Sequence, residues 1–578
     1  MGAAQTTGEK SFFASLSGVI LKFSKKVEDI SGKVPELIAC IVYAVGHLLM
    51  GLVHEPWYDE AVAWQIARSA SVKDILFEIP HYEGHPPLWH LILAPFAKLG
   101  VPFELSLSIV SLIFAGTACF LIIYKSPFPR IIRLLLPFTY FFFYQYSVIT
   151  RPYCVMMLVF VLLAMSYPKR NTKPGIYVAF LMLLCLTSAY GILISGGLAI
   201  VWILEMWNRQ NIVRFIKNML CDKRTLWLLA LLSLALFLIA CIMPREDTFA
   251  TNNMSAYNTK EAMIRCFSYM LFALPAEVSM TNIYTEYQLL KATNIPWSSL
   301  IVTCVLGLIF WAVILSYAKR KKTMVLLIVP YVLYAVTASI LYIFPHHIGI
   351  GLCLFLFWFW VSLNEENNGL LKKPSADIEV IIHSLIVIFG SIAMIISLSW
   401  NIVSCIQDVR YCYATGKNEA MYIKENGLDN YDIMVGWGVY FDGNGNVADM
   451  DVNHYNCADS AAPYFDNNIF FNFNNGNNEV NYTTHKKADE EETEAIISKW
   501  KEKVPDVLYM YPHIELIYED IDLSKYKLVY YQRNSKPWKG FLEFSDAKIY
   551  VHEDVIEELG LEIHKSQESY ARISLMEN

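Results

Sequence analysis

The chain has 578 residues, of which 55% are hydrophobic and only 17% are charged, and its mean hydropathy is +0.37. A soluble protein of this length would carry more charge and shorter apolar runs, so the composition excludes an ordinary soluble protein and indicates an integral membrane protein. The net charge of −7 gives no reason to expect nucleic acid as a partner. The twelve cysteines lie mostly in apolar runs, as buried thiols do, and a disulfide among Cys405, Cys412 and Cys457 stays open.

The N-terminal segment, residues 1–35, places its basic residues after a short apolar patch, which is not the order of a signal peptide. It predicts a basic amphipathic helix on the cytoplasmic surface of the membrane. Eleven later runs are apolar enough to predict membrane spans, and they lie near 36–53, 104–124, 133–150, 151–166, 174–189, 190–207, 226–243, 298–317, 324–343, 346–363 and 379–404. The run at 86–100 is short and broken by proline, which predicts a re-entrant or interfacial helix.

The basic residues set the predicted orientation. Lys22, Lys25, Lys26 and Lys33 precede the first span, and four later loops are rich in Lys and Arg: 125–133, 167–173, 208–224 and 319–322. Because basic loops remain in the cytoplasm, the N-terminus is predicted to be inside. The first outer loop, 54–103, and everything after residue 404 are then outside, which requires that 86–100 does not cross the membrane.

The composition changes near residue 405. From 405 to 578 the chain is polar, with short strand-like runs and one helix-like stretch at 489–505. The predicted fold is therefore an α-helical polytopic membrane protein with about eleven transmembrane helices, an interfacial first outer loop and a C-terminal soluble α/β domain on the outer face. Residues 36–404 form its membrane module.

The polar residues that are hardest to explain as simple membrane anchors all fall on the predicted outer side. They are His54, Asp59, Glu60, His81, Glu83, His85, Arg151, Arg245, His346 and His347. Charges near the membrane are costly unless they face a cavity or each other. Any one of them alone fits an interfacial anchor, but their convergence favours a functional site.

Two motifs carry a specific resemblance. Asp59-Glu60 follows the first span, and "HPPL" (85–88) opens the next apolar helix after a variable amphipathic stretch. This pairing resembles the first outer loop of the C-type (GT-C fold) glycosyltransferases, closest to protein O-mannosyltransferases and the aminoarabinose transferase of lipid A. The stretch "YQYSVITRPYCVMMLVF" (144–160) resembles the family's junction between its fourth and fifth spans. The resemblance covers roughly 36–404.

The resemblance implies an inverting transferase that moves a sugar from a polyprenyl-phosphate carrier to an acceptor hydroxyl on the outer face. Asp59 is the expected catalytic base, because an acceptor hydroxyl needs a carboxylate. Glu60 is expected beside it in the catalytic site, where it either holds a partner cation or raises the pKa of Asp59 by like-charge proximity, with a helix-starting acid as the alternative. The leaving phosphate needs a cation, and the expected residues are Arg151, His85, His346, His347 and Arg245. Sugar or acceptor contacts are expected from Trp57, Tyr58, Trp64, His54 and Tyr190.

One segment departs from the family pattern. Relatives often place an Arg-aromatic pair at the outer end of a late span, whereas "FPHHIGIG" (344–351) supplies His346 and His347. The histidines leave the identity of the phosphate clamp open, with a polar cap on the span as the alternative. No cofactor is expected to be required, although His81, Glu83 and His85 at i, i+2 and i+4 leave open a divalent metal.

Two rival functions stay open at this stage. A transporter or flippase for lipid-linked sugars would place ionisable residues near the middle of the membrane. A non-catalytic cell-envelope assembly protein would tolerate the loss of Asp59. The expected partners are membrane lipids, the lipid-linked donor and a glycan, lipid or protein acceptor, and the expected location is a plasma membrane. A bacterial one is favoured because no endoplasmic-reticulum retention signal is present.

Overall fold

The computed structural model describes residues 2–207, 211–248, 260–282, 296–340, 343–364, 377–441, 444–453, 460–470 and 486–565, and only the backbone of 2–14, 377–380 and 441. This part of the chain is mostly helical, with a small sheet near the C-terminus. Helices α1–α13 are Gly2–Glu28, Val34–Gly51, Tyr58–Ser69, Val72–Phe77, Pro80–Glu83, Leu88–Lys98, Phe103–Lys125, Arg130–Leu135, Tyr153–Ser166, Pro174–Cys185, Ala189–Trp207, Ile212–Cys221 and Lys223–Ile242. Helices α14–α22 are Lys260–Ser268, Leu274–Glu277, Trp297–Arg320, Met324–Ile340, Ile348–Asn364, Asp377–Arg410, Gly416–Glu425, Glu490–Trp500 and Glu553–Leu559.

Seven helices within the described residues are long and apolar enough to span a membrane. Their apolar segments are Val34–Gly51, Phe103–Lys125, Ala189–Trp207, Lys223–Ile242, Trp297–Arg320, Pro345–Asn364 and Ile381–Arg410. Three shorter apolar helices accompany them, at Tyr153–Lys169, Pro174–Cys185 and Met324–Ile340. The chain is thus a polytopic helical membrane protein by helix length and composition, and the figure of eleven spans stays a prediction.

The expected span at 133–150 is not one continuous α-helix. The structure divides this run into the end of α8, a 3₁₀ turn at Leu136–Phe138 and a π-helix at Phe141–Val148. Pro137 explains the first break, because proline cannot donate the next helical hydrogen bond. Irregular π-helical turns frequently accompany functional sites, and this one contributes to the site described below.

Helix α6 covers most of the run at 86–100, and its interfacial position stays a prediction. It has 11 residues, so it is roughly 16 Å long, about half the thickness of a hydrocarbon core of about 30 Å. It packs against α3 of the first loop. Trp89 and Leu93 point into that packing and are buried.

The C-terminal domain contains a four-stranded mixed sheet. The strands are β1 Ile433–Val435, β4 Val507–Tyr509, β6 Phe541–His552 and β5 Tyr526–Trp538, in that order, with β1 and β4 parallel and the other pairs antiparallel. Strands β2 Gly438–Phe441 and β3 Val447–Asp451 form a separate antiparallel pair. The expected helix near 489–505 is α21, which begins with a capping box between Asp489 and Glu492.

The β5–β6 hairpin is the longest feature of this domain and reaches the membrane helices. Its two-residue turn, Lys539-Gly540, has positive φ angles of 48° and 84°. Two consecutive positive φ angles match the type I′ turn that suits the twist of a hairpin, and glycine adopts the second without strain. Trp538 beside the turn packs with the core of the membrane helices, so one hydrophobic core joins the hairpin to the bundle.

Within the described residues, Cys405 and Cys412 do not form the disulfide that the sequence left open. Cys405 and Cys412 are both free thiols, and Cys457 lies outside the described residues. The side chain of Cys412 instead donates to the carbonyl oxygen of Ala414.

Candidate functional site

The ends of several helices meet on the side of the bundle that carries the C-terminal domain. The start of α3, the loop before α9, the start of α18 and the end of α19 all contribute to this region. Helix α1 packs at the opposite end of α19, where the hydroxyl of Ser17 donates to that of Ser384 over 2.9 Å. The polar residues predicted to be outer residues therefore lie at the end of the bundle away from α1.

Asp59 and Arg151 form an ion pair at this end of the bundle. The Nη1 atom of Arg151 donates to Oδ2 of Asp59 and lies 3.4 Å from Nε2 of His346. The side chains of Arg151 and Asp59 are 11% and 22% exposed. The pair is therefore shielded from most solvent, but a small part of each side chain remains accessible to a ligand. The guanidinium also lies against the rings of Trp57 and Tyr153, at 5.9 and 5.6 Å. The structure thus brings together the proposed base and the proposed phosphate ligand.

Glu60 is directed away from this pair and is 1% exposed. Its Oε1 atom accepts the backbone N–H of Thr150 over 2.6 Å, and its Oε2 accepts that of Trp57 over 3.2 Å. The second bond caps the start of α3, the role that the sequence had left as the alternative for this acid. The first joins α3 to the loop that carries Arg151.

His54 connects Glu60 to the last long helix. Its Nε2 atom lies 3.4 Å from Glu60 Oε2, and its Nδ1 lies 2.8 Å from Oδ2 of Asp408 near the end of α19. The hydroxyl of Tyr144, in the π-helix, donates to the same Asp408 oxygen over 3.0 Å. We call Glu60, His54 and Asp408 the acid–histidine cluster. It holds the first loop, the π-helix and α19 in one arrangement, so His54 is not available to contact an acceptor as the sequence had suggested.

The acid–histidine cluster keeps His54 protonated. Burial by itself lowers the pKa of His54, but the charge and hydrogen bond of Asp408, together with those of Glu60, outweigh it and raise this pKa from 6.5 to about 10. His54 is therefore an imidazolium at neutral pH, between the side chains of Asp408 and Glu60.

The two histidines of the late span line the same region. His346 and His347 are 4% and 2% exposed, and their carbonyl oxygens accept hydrogen bonds from Tyr146 and Tyr334 over 2.7 and 2.9 Å. The ring of Tyr190 packs 5.0 Å from that of His347. His85 is close enough for its charge to act on both histidines, so this part of the expected set also converges on Arg151.

Two residues of the site were missed from the sequence. Lys536, on strand β5, places its ammonium 4.7 Å from the centre of the Trp57 ring. Burial lowers the pKa of Lys536, and the nearby charges of Glu543 and Asp59 act in the opposite direction. Asp408 was missed as well, although a lone acid at the end of an apolar run, "SCIQDVR", was a signal that could have found it.

Several other expected residues lie elsewhere. Trp64 is 3% exposed and packs on Phe103 at 5.4 Å, so it belongs to the core. Tyr58 packs on the small apolar cluster of the first loop. Arg245 is paired with Glu78, and its guanidinium lies 5.7 Å from the ring of Tyr82, so it does not join Arg151.

The short helices α4 and α5 explain this separation, because they carry residues 72–83 away from the start of α3. A cleft of about 290 Å³ lies beside the Arg245–Glu78 pair, lined by Glu78, Ile79, Tyr82, Glu83, Arg245, Asp247 and Lys486. His81, in α5, bonds through Nδ1 to the carbonyl of Met243 over 2.7 Å. Among the described residues, no three His, Cys, Asp or Glu side chains are grouped closely enough to hold a metal ion, so the alternative built on His81, Glu83 and His85 is not assembled.

Comparison with known proteins adds no identification. No protein-family model, curated protein or solved structure matches the chain. Any functional assignment therefore rests on the residues themselves and on their geometry.

Proposed function

We propose that the protein is a membrane glycosyltransferase that moves a sugar from a polyprenyl-phosphate carrier to an acceptor hydroxyl with inversion. The observation that carries the proposal is the shielded Asp59–Arg151 ion pair beside His346, at the ends of apolar helices. It puts a carboxylate base and a phosphate-binding cation side by side, in reach of a lipid whose tail can lie along those helices.

The chemistry needs little more than these two groups. Asp59 removes the proton of the acceptor hydroxyl, whose oxygen attacks the anomeric carbon from the face opposite the phosphate. The bond between the anomeric carbon and the phosphate oxygen breaks, and its electron pair leaves with the phosphate. Arg151 stabilises the negative charge that gathers on the phosphate in the transition state, in a site where water is largely excluded.

Donor binding would also activate the base. In the ion pair, Oδ2 of Asp59 is bonded to Arg151. A carboxylate oxygen of Asp59 must take the proton from the acceptor hydroxyl, so this bond competes with that role. A phosphate group competes for the same guanidinium, and arginine binds phosphates and carboxylates with the same fork of N–H donors. When the donor phosphate takes Arg151, the Asp59 carboxylate is released from that ion pair and can turn toward the acceptor.

Glu60 acts in this proposal as a positioning residue. Both of its oxygens are engaged by backbone N–H groups, so it has little freedom to accept a proton. Its contacts instead set the relative placement of α3 and the Arg151 loop, and with them the distance between Asp59 and Arg151.

A transfer assay with a matched variant tests the proposal. The purified protein in nanodiscs would receive a panel of radiolabelled undecaprenyl-phosphate hexoses and pentoses, with a solubilised bacterial cell-envelope fraction as the source of acceptors. We expect Asp59→Asn to lower transfer at least about 100-fold, the lower range for a general base. Asp74→Asn, an exposed acid of the same loop, should leave the rate unchanged.

Two outcomes would contradict the proposal. Transfer by Asp59→Asn at the wild-type rate would remove the base and favour a non-catalytic assembly protein. Movement of the intact lipid-linked sugar across the bilayer, without transfer, would favour the flippase alternative.

A further inference from the structure

The turn of the β5–β6 hairpin is locked into the membrane helices by a buried ion pair. Nζ of Lys539 lies 2.9 Å from Oε1 of Glu277, at the end of α15, and both side chains are 0% exposed. The ammonium also donates to the carbonyl of Thr281 over 3.0 Å, and the N–H of Gly540 donates to the Ser404 hydroxyl over 3.1 Å. A buried charge pair persists only when its hydrogen bonds are satisfied, so these contacts hold the turn in one place.

Lys536 lies three residues before that anchored residue, on the strand that runs past Trp57. It pairs in register with Glu543 on β6, yet its ammonium makes no hydrogen bond or ion pair with any residue that the structure describes. Its contact is the face of Trp57, at 4.7 Å. A cation–π contact offsets only part of the cost of removing an ammonium from water.

Lys536 and Arg151 share one aromatic neighbour. The guanidinium of Arg151 lies 5.9 Å from the ring of Trp57, and the charge of Asp59 acts on Lys536. Two cations, Lys536 and Arg151, therefore lie against one aromatic ring, beside the Asp59 carboxylate. An anionic group that reaches this ring would meet both cations.

We propose that Lys536 is a second ligand of the donor phosphate, so that the C-terminal domain completes the donor site. This inference rests on the proposed function and extends it, because it assigns a role to a domain in which the sequence shows no motif. The anchored turn fixes the position of β5, so that the Lys536 ammonium lies beside Trp57. The phosphate then binds between Lys536 and Arg151. Release of the phosphate then involves both the membrane module and the C-terminal domain.

Binding of undecaprenyl phosphate to the full-length protein in nanodiscs tests the proposal independently of catalysis. Lys536→Met keeps the length of the side chain and removes the charge, whereas Lys536→Arg keeps the charge. Lys527→Met is the matched control on the same strand, since its ammonium bonds to the carbonyl of Ser524. We expect Lys536→Met to weaken binding at least tenfold, Lys536→Arg to stay within about threefold, and the control to bind as the wild type does. Uncharged undecaprenol should show no such difference.

A labelling experiment on the wild-type protein covers the case in which Lys536→Met fails to fold. Acetic anhydride modifies accessible lysines, and mass spectrometry measures the modified fraction of Lys536 relative to Lys527. Undecaprenyl phosphate should protect Lys536 at least threefold, and undecaprenol should not.

The outcomes separate this inference from the proposed function. Wild-type binding by Lys536→Met, together with lost binding by Arg151→Ala, would overturn the role of Lys536 and leave the transferase proposal intact. Absence of protection of Lys536 under saturating lipid would do the same. Failure of the wild-type protein to bind undecaprenyl phosphate at all would overturn both.

Discussion

A substitution in the acid–histidine cluster should change the stability of the protein by an amount that can be worked out from the structure. The change is Asp408→Asn, which keeps the shape of the side chain and an oxygen for the hydroxyl of Tyr144, but removes the charge that faces His54 at 2.8 Å. We expect the variant to be less stable, and we expect the wild type to lose more stability than the variant as the pH rises above neutral.

The magnitude follows from the pKa of His54. This pKa is raised from 6.5 to about 10 by folding, so the stabilisation is complete below pH 6.5 and disappears as the pH rises through 10. With these two pKa values, protonation of His54 contributes about 4 kcal/mol to the free energy of unfolding at pH 7. At pH 9 this contribution is about 2–3 kcal/mol smaller. Because Glu60 supplies part of the effect, we expect Asp408→Asn to cost about 2–4 kcal/mol at pH 7, in line with broken buried ion pairs.

Unfolding by SDS in mixed micelles, at pH 7 and pH 9, measures both quantities. The matched control is Asp554→Asn, which removes an acid 3.3 Å from His552 where the acid is 81% exposed. An exposed pair contributes 1 kcal/mol or less, so the control should behave as the wild type at both pH values. Equal stability and equal pH dependence in Asp408→Asn and Asp554→Asn would refute the reasoning.

Three further predictions concern other parts of the structure. Arg151→Ala should raise the KM for the lipid donor at least tenfold and change the acceptor KM little, as measured by steady-state transfer, and an equal effect on both would contradict its role at the phosphate. Glu277→Gln should destabilise the protein by about 3–5 kcal/mol because it leaves the Lys539 ammonium buried without its counter-charge, and adding Lys539→Met should recover much of that loss in SDS unfolding. Trp64→Ala should cost about 3–5 kcal/mol of stability through lost core packing while donor binding in the folded protein is retained, and selective loss of donor binding would return Trp64 to the site.

The long helices could be predicted from the sequence because each depends mainly on the residues of its own segment. The predicted span at 226–243 is α13 Lys223–Ile242, and that at 298–317 is α16 Trp297–Arg320. An apolar run of sufficient length forms a helix in the membrane whatever its neighbours are, since every backbone group must be bonded within the segment. The run at 133–150 failed this rule because Pro137 interrupts it and the tertiary contacts of the π-helix replace regular helix geometry.

The residues of the candidate site could be predicted from the sequence only in part. The proximity of Asp59, Arg151 and His346 followed from their common position at the ends of apolar runs. Arg245 met the same criterion and was assigned to the phosphate, but its partner Glu78 lies in a short helix that leads away from the site. Position at a helix end thus places a residue near the right face of the bundle, while the packing of the loops decides which neighbour it meets.

The sequence by itself determined the membrane class of the protein, the positions of its long helices and the acidic pair that opens the first loop. Only the tertiary structure decided that Asp59 meets Arg151 whereas Glu60 meets His54 and the backbone, because neighbouring residues on a helix point about 100° apart and face different surroundings. Likewise Lys536 and Asp408 come from segments hundreds of residues further along the chain. Their place in the site depends on how the hairpin and α19 pack, and no local pattern encodes that packing.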